Sequence, residues 1–233
     1  MKFLCLATDY DGTLAQHGDV ADSTVNALKS LRESGRKLVL VTGREMTDLA
    51  KVCHFIELFD RVVAENGALL HNPADESSKV LAPEPPEEFV ERLRACGVAP
   101  LSIGLGIVAT QEIYSGVVLR TIRELKLPLQ AIPNKGALMV LPKTVDKASG
   151  LRAALSELRL QAKEVVGVGD AENDFVFLRA CGFSVAVANA IPALKEQVQL
   201  VTQGRNGAGV EELIQKLLAN ELVAGPHTPA LPL

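Results

Sequence analysis

The chain has 233 residues, of which 48% are hydrophobic, and its formal net charge at pH 7 is −4. This length can bury one sizeable core, or one core and a smaller second domain, and we expect the second arrangement. The slightly negative net charge gives no sign of the basic surface that nucleic-acid binding requires, so we predict no nucleic-acid partner. No stretch approaches the roughly 18 to 20 apolar residues of a membrane span, so we also predict no membrane partner.

The four cysteines, Cys5, Cys53, Cys96 and Cys181, are scattered along the chain. Without a CxxC pair or a clustered spacing, they indicate neither a zinc site nor a disulfide framework. We interpret them as small core residues in a reducing compartment. The N-terminal apolar run meets Asp9 before the core of a signal peptide could form. We therefore predict a cytoplasmic location.

The first elements alternate between strand and helix. Residues 3–7 are apolar at every position and too few for a helix, as in a central parallel strand covered on both faces. A helix follows, with Asp22 and Ser23 as N-cap candidates and Gly35 just beyond its end. Residues 37–53 indicate a second apolar strand and a helical stretch. This order predicts a doubly wound α/β fold with a parallel sheet.

The same pattern continues on either side of an interruption. Residues 61–65 predict a third strand, and Asn66-Gly67 is a turn signal before a hairpin arm. After the interruption, we predict a helix at 146–160, a strand at 164–169, a helix from 175, a strand at 183–187, a helix from 191, a strand at 199–202 and a helix at 210–222.

The interruption has prolines at both borders and its own mixture of elements. Within it we predict a helix at 87–95, a glycine-interrupted strand at 100–110, a helix at 111–127 and one or two strands that end at 142. We interpret this insertion as a small α+β cap domain. The predicted division is a core of residues 1–82 and 143–222, a cap of residues 83–142 and a proline-rich tail of residues 223–233.

Two carboxylates follow the first strand. Asp9 and Asp11 stand at its carboxyl end, where open α/β sheets bind their ligands. A spacing of two places them on one side of an extended chain, and close carboxylates repel unless a cation lies between them. Ordinary turn chemistry at Gly12 is the alternative. A calcium loop is excluded because Thr13 and Leu14 stand where a ligand and a glycine are required.

A second group of polar residues ends a later strand. Asp170, Asn173 and Asp174 follow it within five residues, and one of the last two is expected to cap the next helix. If the strand order reverses between this strand and the first, the carboxylates of both groups converge at the switch point. Hard oxygen ligands suit Mg²⁺, so we predict a magnesium site formed by Asp9, Asp11, Asp170 and Asp174.

Two further motifs are candidates for binding phosphate. Thr42, Gly43 and Arg44 end the second strand and open a helix, so a hydroxyl, an amide and a helix N-terminus meet there. An ordinary N-cap is the alternative. Lys147 lies near the start of its helix, where its charge opposes the helix dipole, so we expect a partner outside the helix to hold it. A solvated surface lysine is the alternative.

With these motifs in this order, the chain resembles the haloacid dehalogenase (HAD) superfamily of phosphatases, and within it the Cof-type subfamily IIB, whose cap is inserted between the second and third motifs. The motifs are DYDGT with Asp9 and Asp11, VTGR with Thr42, VDKASGL with Lys147, and GDAEND with Asp170, Asn173 and Asp174. Weaker similarities are ENGA, VANAIP and VTQGRNGAGV. The resemblance covers nearly everything except the tail, and it implies a Rossmann-like core with a small cap.

The resemblance also implies a role for each motif residue. Asp9 would be the nucleophile that forms an aspartyl-phosphate, and Asp11 the general acid and then the general base. Thr42 and Lys147 would bind the transferring phosphoryl group, with Asn173 nearby. Gly43 and Arg44 remain candidates for the same phosphate site from their place at the helix N-terminus. Mg²⁺ would be held by the Asp9 carboxylate, the Asp11 main-chain carbonyl and Asp170, with Asp174 in support.

The expected function is therefore Mg²⁺-dependent hydrolysis of a small phosphorylated metabolite. The short insertion is similar to the caps of archaeal-type phosphoglycolate phosphatases or phospho-sugar phosphatases. Five residues either meet a substrate anion or are simply solvated: Arg44, Asn66, Arg120, Arg123 and Lys135. A phosphomutase or phosphotransferase would share all the core residues. A metal-binding regulatory domain of a larger protein is the non-enzymatic alternative, although such a domain need not retain Asp9, Asp11, Lys147 and Asp170.

Overall fold

The structure, a computed structural model, describes residues 3–222, so the predicted tail at 223–233 lies outside the described residues. The α-helices are α1 (Asp22–Glu33), α2 (Met46–Leu49), α3 (Glu87–Ala95), α4 (Ser115–Glu124), α5 (Lys147–Leu158), α6 (Phe175–Ala180), α7 (Pro192–Lys195) and α8 (Asn206–Leu218). The strands are β1 (Cys5–Thr8), β2 (Lys37–Val41), β3 (Arg61–Ala64), β4 (Leu69–Asn72), β5 (Ser77–Val80), β6 (Ser102–Ile103), β7 (Val108–Gln111), β8 (Leu129–Asn134), β9 (Ala137–Pro142), β10 (Val165–Gly169), β11 (Phe183–Ala186) and β12 (Leu200–Val201).

The larger sheet has eight strands in the order β12-β11-β10-β1-β2-β3-β4-β5. Strands β12 to β3 pair in parallel, and β4 and β5 are antiparallel additions at one edge. In the centre, Leu6 of β1 lies between Leu38 of β2 and Val166 of β10. The chain extends the sheet on one side of β1 first and later on the other side. The predicted doubly wound core is therefore confirmed, with its switch point between β1 and β10.

The apolar strands pack on both faces of this sheet. In β2, Leu38 and Leu40 belong to the cluster that α1 and α8 cover, whereas Val39 and Val41 belong to the cluster that α5 and α6 cover. Successive side chains of a strand point to opposite faces, so burial on both sides requires an uninterrupted apolar run. The same requirement explains the run in β1.

The smaller sheet has four antiparallel strands in the order β6-β7-β9-β8, all within residues 83–142. Helices α3 and α4 cover it through a separate apolar cluster that includes Phe89, Val118 and Val140. Within residues 3–222, none of its strands pairs with the larger sheet. The insertion thus has its own sheet and its own core, and its treatment as a cap domain bounded at 83 and 142 remains a prediction.

Two strand predictions differ from the structure. The single strand predicted at 100–110 is two short strands, β6 and β7, because the chain reverses where the N–H of Gly104 donates to the carbonyl of Ile107 at 2.9 Å. The hairpin arm after Asn66-Gly67 continues into β5, which we did not predict. The four residues of β5 are exposed and mostly polar, so they lack the apolar alternation that indicates a strand.

Three helix predictions also need correction. The helix expected up to residue 53 is the four-residue α2, followed by turns. The N-cap of α1 is Ala21, whose side chain has no hydrogen-bonding group. Asp22 and Ser23, the predicted caps, lie inside the helix, and the hydroxyl of Ser23 donates to Glu211 at 2.8 Å. The last helix begins at Asn206, four residues early, since two glycines in its first turn are poor helix formers that obscured its start.

The cysteine prediction is partly wrong. Cys5, Cys53 and Cys181 are buried, but Cys96, just after α3, is exposed. All four thiols are free. Of the helices in residues 3–222, none combines the length and the apolar character that a membrane span needs.

Candidate active site

The switch point brings the two predicted carboxylate groups together. Asp9 follows β1 and Asp170 follows β10, and the N–H of Asp9 donates to the carbonyl of Val168 at 3.0 Å. Oxygen atoms of Asp9, Asp170 and Asp174 all lie within 4.8 Å of one another, and all three side chains are buried. Asp11, the fourth predicted metal residue, contributes no carboxylate to this group. The structure does not test its predicted main-chain ligand.

Lys147 lies at the centre of these carboxylates. Its ammonium donates to Asp9 and to Asp174, each at 2.6 Å, and its side chain is 1% exposed. It is the first residue of α5, whose N-terminus is stabilised by a capping box between Asp146 and Ser149. Burial opposes the charged form of Lys147, but the two carboxylates outweigh it and raise the pKa of this lysine. The partner expected outside the helix is therefore present.

Hydrogen bonds from neighbouring loop residues fix the side chains of Asp174 and Asp170. One oxygen of Asp174 accepts the N–H groups of Asp170 and Ala171 at 2.8 and 3.0 Å, so Asp174 caps its own turn and also holds Lys147. Asp170 accepts the hydroxyl of Thr13 at 3.1 Å. Gly12 has a φ of +83°, and a Cβ there would overlap the Asp170 carboxylate. A glycine is therefore required for the loop to pass this close.

The negative charge of the three buried carboxylates is not fully balanced by the neighbouring lysines. Burial raises the pKa of Asp9 well above its usual range, and Asp174 and Asp170 raise it further against the opposing effect of Lys147. Burial likewise raises the pKa of Asp170, against a hydrogen bond from Lys135. Three carboxylates here face two ammonium groups. The oxygen donors and the excess negative charge both suit a hard divalent cation.

We expect a divalent cation to stabilise the protein more at pH 7 than at pH 5. Because folding raises the pKa of Asp9 and Asp170, their stabilising contribution in the metal-free protein is complete below the ordinary aspartate pKa near 4. It is lost as the pH rises through the raised values. A bound cation replaces the protons and restores that stability. The measurement is the Tm at both pH values with MgCl2 or with EDTA.

Asp170→Asn and the exposed control Asp19→Asn complete this test. The first variant should lose most of the magnesium-dependent rise in Tm without unfolding in EDTA, because it removes one buried carboxylate from a crowded group. The second should behave as wild type. Equal magnesium-dependent rises at both pH values, or an undiminished rise in Asp170→Asn, would contradict the prediction.

Asp11 lies apart from the buried carboxylates and pairs with Arg44. Both oxygens of Asp11 accept from this guanidinium, at 2.6 and 2.8 Å, and the Asp11 side chain is 46% exposed. Arg44 also donates to Asp48 at 2.7 Å. The hydrogen bond with Asp11, more than the two nearby charges, raises the pKa of Arg44. The structure thus places Arg44 against carboxylates, and its predicted contact with phosphate remains untested.

The second motif lies beside two asparagines. The hydroxyl oxygen of Thr42 accepts the N–H of Arg44 at 3.1 Å, as a local cap does. Asn173 donates to Asn66 at 3.0 Å. Within residues 3–222, the side-chain nitrogen of Asn66 and the side-chain oxygen of Asn173 are buried and have no hydrogen-bond partner. An unsatisfied buried polar group costs about 1–3 kcal/mol, so this pair favours a bound ligand that offers polar atoms. A Cβ at Gly43 would lie 3.8 Å from Asn173.

The insertion contacts this site at three places that the sequence did not predict. Buried Glu65 accepts the N–H groups of Leu105 and Gly106 at 3.1 and 2.8 Å. Met139 of β9 lies so close to Gly43 that a Cβ there would overlap its side chain. Lys135 contacts Asp170. Glu65 belongs to the ENGA similarity, but an apolar strand residue such as Met139 carries no local signal of a site.

The other two candidates for a substrate anion are on α4. Arg120 and Arg123 are both exposed, and Arg123 donates to the carbonyl of Leu119 within the same helix at 3.2 Å. Nothing in this arrangement favours their contact with a substrate. Of the five residues named for that role, Arg44, Asn66 and Lys135 lie among the residues of the site.

This fold, with buried carboxylates at its switch point, matches a known class of hydrolases. A sequence model of the haloacid dehalogenase-like hydrolases matches residues 6–98 and 129–214. The chain therefore belongs to this family, as its motifs predicted, and it is a phosphatase. The unmatched residues 99–128 lie within the insertion.

Relatives with curated names support the same activity. The chain is 31% identical to a phosphoglycolate phosphatase of Haloarcula marismortui, over 90% of this chain and 95% of that protein. It is 30% identical to phosphoglycolate phosphatase 2 of Saccharolobus solfataricus, with 93% of each chain covered. It is 28% identical to a phosphoglycolate phosphatase of Methanothermobacter thermautotrophicus, over 91% of this chain and 98% of that protein.

Solved structures show the same fold at lower identity. A haloacid dehalogenase-like hydrolase from Bacteroides thetaiotaomicron superposes with a TM-score of 0.77 at 19% identity, covering 93% of this chain and all of that one. A sugar phosphatase of HAD subclass IIB superposes with a TM-score of 0.75 at 18% identity, covering 94% and 99%. The predicted α/β fold of this chain is therefore that of known HAD-like hydrolases.

Proposed function

We propose that this phosphatase hydrolyses 2-phosphoglycolate, requires Mg²⁺ and forms an aspartyl-phosphate on Asp9. The observation that carries the proposal is the buried ammonium of Lys147, which bridges Asp9 and Asp174 beside Asp170. Phosphoryl transfer needs mainly positioning and neutralised charge, and a carboxylate nucleophile divides it into two easier steps. This arrangement offers a positioned nucleophile, a fixed cation and a group of carboxylates for a metal.

The buried residues would act in the first step. The Asp9 carboxylate attacks phosphorus, the bond from phosphorus to the ester oxygen breaks, and that oxygen takes a proton from Asp11. Lys147 orients Asp9 and offsets charge on the phosphoryl oxygens, while Thr42 and the N–H of Gly43 hold those oxygens. A Mg²⁺ ion held by Asp9 and Asp170, with Asp174 in support, would neutralise further charge on the phosphoryl group.

Asp11 would act again in the second step. Now ionised, it takes a proton from water, whose oxygen attacks the aspartyl-phosphate and releases inorganic phosphate and free Asp9. Its pairing with Arg44 fixes the carboxylate, whose side chain is still 46% exposed and therefore accessible to water. A general acid and base of this kind typically contributes about 10²- to 10⁴-fold.

The substrate proposal is supported by the relatives and by the close approach of the insertion. The relatives described above are phosphoglycolate phosphatases. The end of the Met139 side chain lies so close to Gly43 that a Cβ there would overlap it, and this close approach to the second motif favours a small leaving group. Glycolate, the alcohol released from 2-phosphoglycolate, has two carbons and is smaller than any sugar.

A substrate panel tests this function. Phosphate release should be measured with Mg²⁺ for 2-phosphoglycolate, ethyl phosphate, glucose 6-phosphate, a nucleotide and an aryl phosphate. We expect the highest kcat/KM for 2-phosphoglycolate and no turnover in excess EDTA. A higher value for the sugar phosphate would overturn the substrate proposal. Transfer of phosphate between sugars without its release would indicate a mutase.

A further inference from the structure

The ammonium of one lysine from the insertion reaches the buried carboxylates. Lys135 lies in the turn between β8 and β9 with a φ of +46°. Its ammonium contacts Asp170, and its N–H donates to Glu172 at 3.2 Å. A Cβ on Gly12 would lie 2.8 Å from that ammonium. Lys135 thus spans from the smaller sheet to the loop that follows β1.

This contact occupies an oxygen that the proposed metal needs. Asp170 is fully buried, and Thr13 holds one of its oxygens, so the lysine ammonium takes the other. Asp9 and Asp174 have Lys147 as their cation, and Asp170 has Lys135. A divalent ion at Asp170 would repel an ammonium on the same oxygen. A metal held by Asp170 would therefore displace the ammonium of Lys135.

The displaced ammonium stays near the site. The backbone of Lys135 is held by the hydrogen bond from its N–H to Glu172 and by the pairing of Asn134 with Ala137 in the β8–β9 hairpin. Its side chain is 41% exposed, so the ammonium can move without breaking the hairpin. Arg44 differs because Asp11 and Asp48 already occupy its guanidinium.

We propose that Lys135 selects the substrate: it pairs with Asp170 in the metal-free enzyme and with the carboxylate of 2-phosphoglycolate once the metal holds Asp170. This inference rests on the proposed function. The carboxylate carbon of 2-phosphoglycolate lies two bonds from the ester oxygen, so only a cation directly beside the phosphoryl site can reach it. Lys135 has that position, and Glu172 is the competing acceptor for its ammonium.

The first test is the ratio of kcat/KM for 2-phosphoglycolate to kcat/KM for ethyl phosphate, which lacks the carboxylate. In Lys135→Met this ratio should fall about 10- to 100-fold, the range expected for a charge-assisted hydrogen bond. Lys135→Arg should recover part of it. Lys143→Met, which removes an exposed lysine just beyond β9, should keep the wild-type ratio.

The second test measures magnesium binding by calorimetry without substrate, and so does not depend on activity. Lys135→Met should bind Mg²⁺ about two- to fivefold more tightly than wild type, because a partly exposed ion pair no longer competes for Asp170. Lys143→Met should bind it as wild type does. Unchanged or weaker binding in Lys135→Met would overturn the displacement of Lys135 by the metal.

The two proposals fail in different ways. If the wild type cleaves ethyl phosphate but not 2-phosphoglycolate, the proposed substrate is wrong, and the selective role of Lys135 is rejected with it. If the wild type cleaves both and Lys135→Met loses both equally, the substrate stands and only the role of Lys135 is overturned. If Lys135→Met keeps both activities at the wild-type level, the displaced ammonium does not meet substrate, and the selective role of Lys135 is likewise overturned.

Discussion

Asp9→Asn should abolish turnover and any covalent phosphoenzyme. An amide is a far weaker nucleophile than a carboxylate, and the side chain keeps nearly the same size in its buried position between β1 and Lys147. The fold should persist, because the variant removes one of several crowded carboxylates. Rapid-quench labelling with a radioactive phosphomonoester, followed by hydroxylamine treatment, measures the aspartyl-phosphate directly.

Asp11→Asn provides the matched comparison. This variant should slow both half-reactions by about 10²- to 10⁴-fold, because it loses the general acid and base but keeps the nucleophile. Its magnesium affinity should change little, since its carboxylate lies outside the buried group and pairs with Arg44. Retained activity in Asp9→Asn, with no label in the wild type, would show that water attacks directly.

Lys147→Met should cause the largest loss of stability among these variants. The methionine side chain is apolar and similar in length, but Asp9 and Asp174 would then lie buried without their shared cation. Breaking a buried ion pair from one side typically costs about 3–5 kcal/mol. For a chain of this size we expect a fall in Tm of roughly 10 °C in EDTA.

Comparing the loss in Tm with and without magnesium distinguishes this electrostatic cost from a packing defect. A divalent ion among the same carboxylates would supply part of the missing charge, so the loss in Tm should be smaller in MgCl2 than in EDTA. Lys163→Met, which removes an exposed lysine, should leave Tm unchanged in both solutions. An equal loss of stability with and without magnesium would contradict the electrostatic explanation.

The sequence by itself determined the central strands and their reactive ends. The apolar run of β1 predicted a strand covered on both faces, and the apolar run of β2 predicted a second strand. Asp9 after β1 and Asp170 after β10 predicted a site at the carboxyl ends of the sheet. The strand predictions are confirmed because burial on both faces of a sheet dictates the residue type at every position of a strand. The motif order was enough to identify the family.

Other local signals were too weak to set the bounds of elements. Ser77–Val80 is mostly polar because β5 is an exposed edge strand, and Gly207 and Gly209 obscured the start of α8. In both cases the neighbouring chain decides the structure, through the pairing of β5 with β4 and the packing of α8 on α1. Tertiary packing overrides a weak local preference of this kind.

Only the tertiary structure decided which side chains meet. Lys147 and Asp9 are 138 residues apart, and Thr13 and Asp170 are 157 apart, so no local pattern contains their contacts. From the sequence, a solvated surface position was the alternative for Lys147. Strand order brings β1 beside β10 and fixes the carboxylates, and the closure of the smaller sheet brings Lys135 to Asp170. Such contacts depend on the three-dimensional path of the chain, which the local spacing of residues does not record.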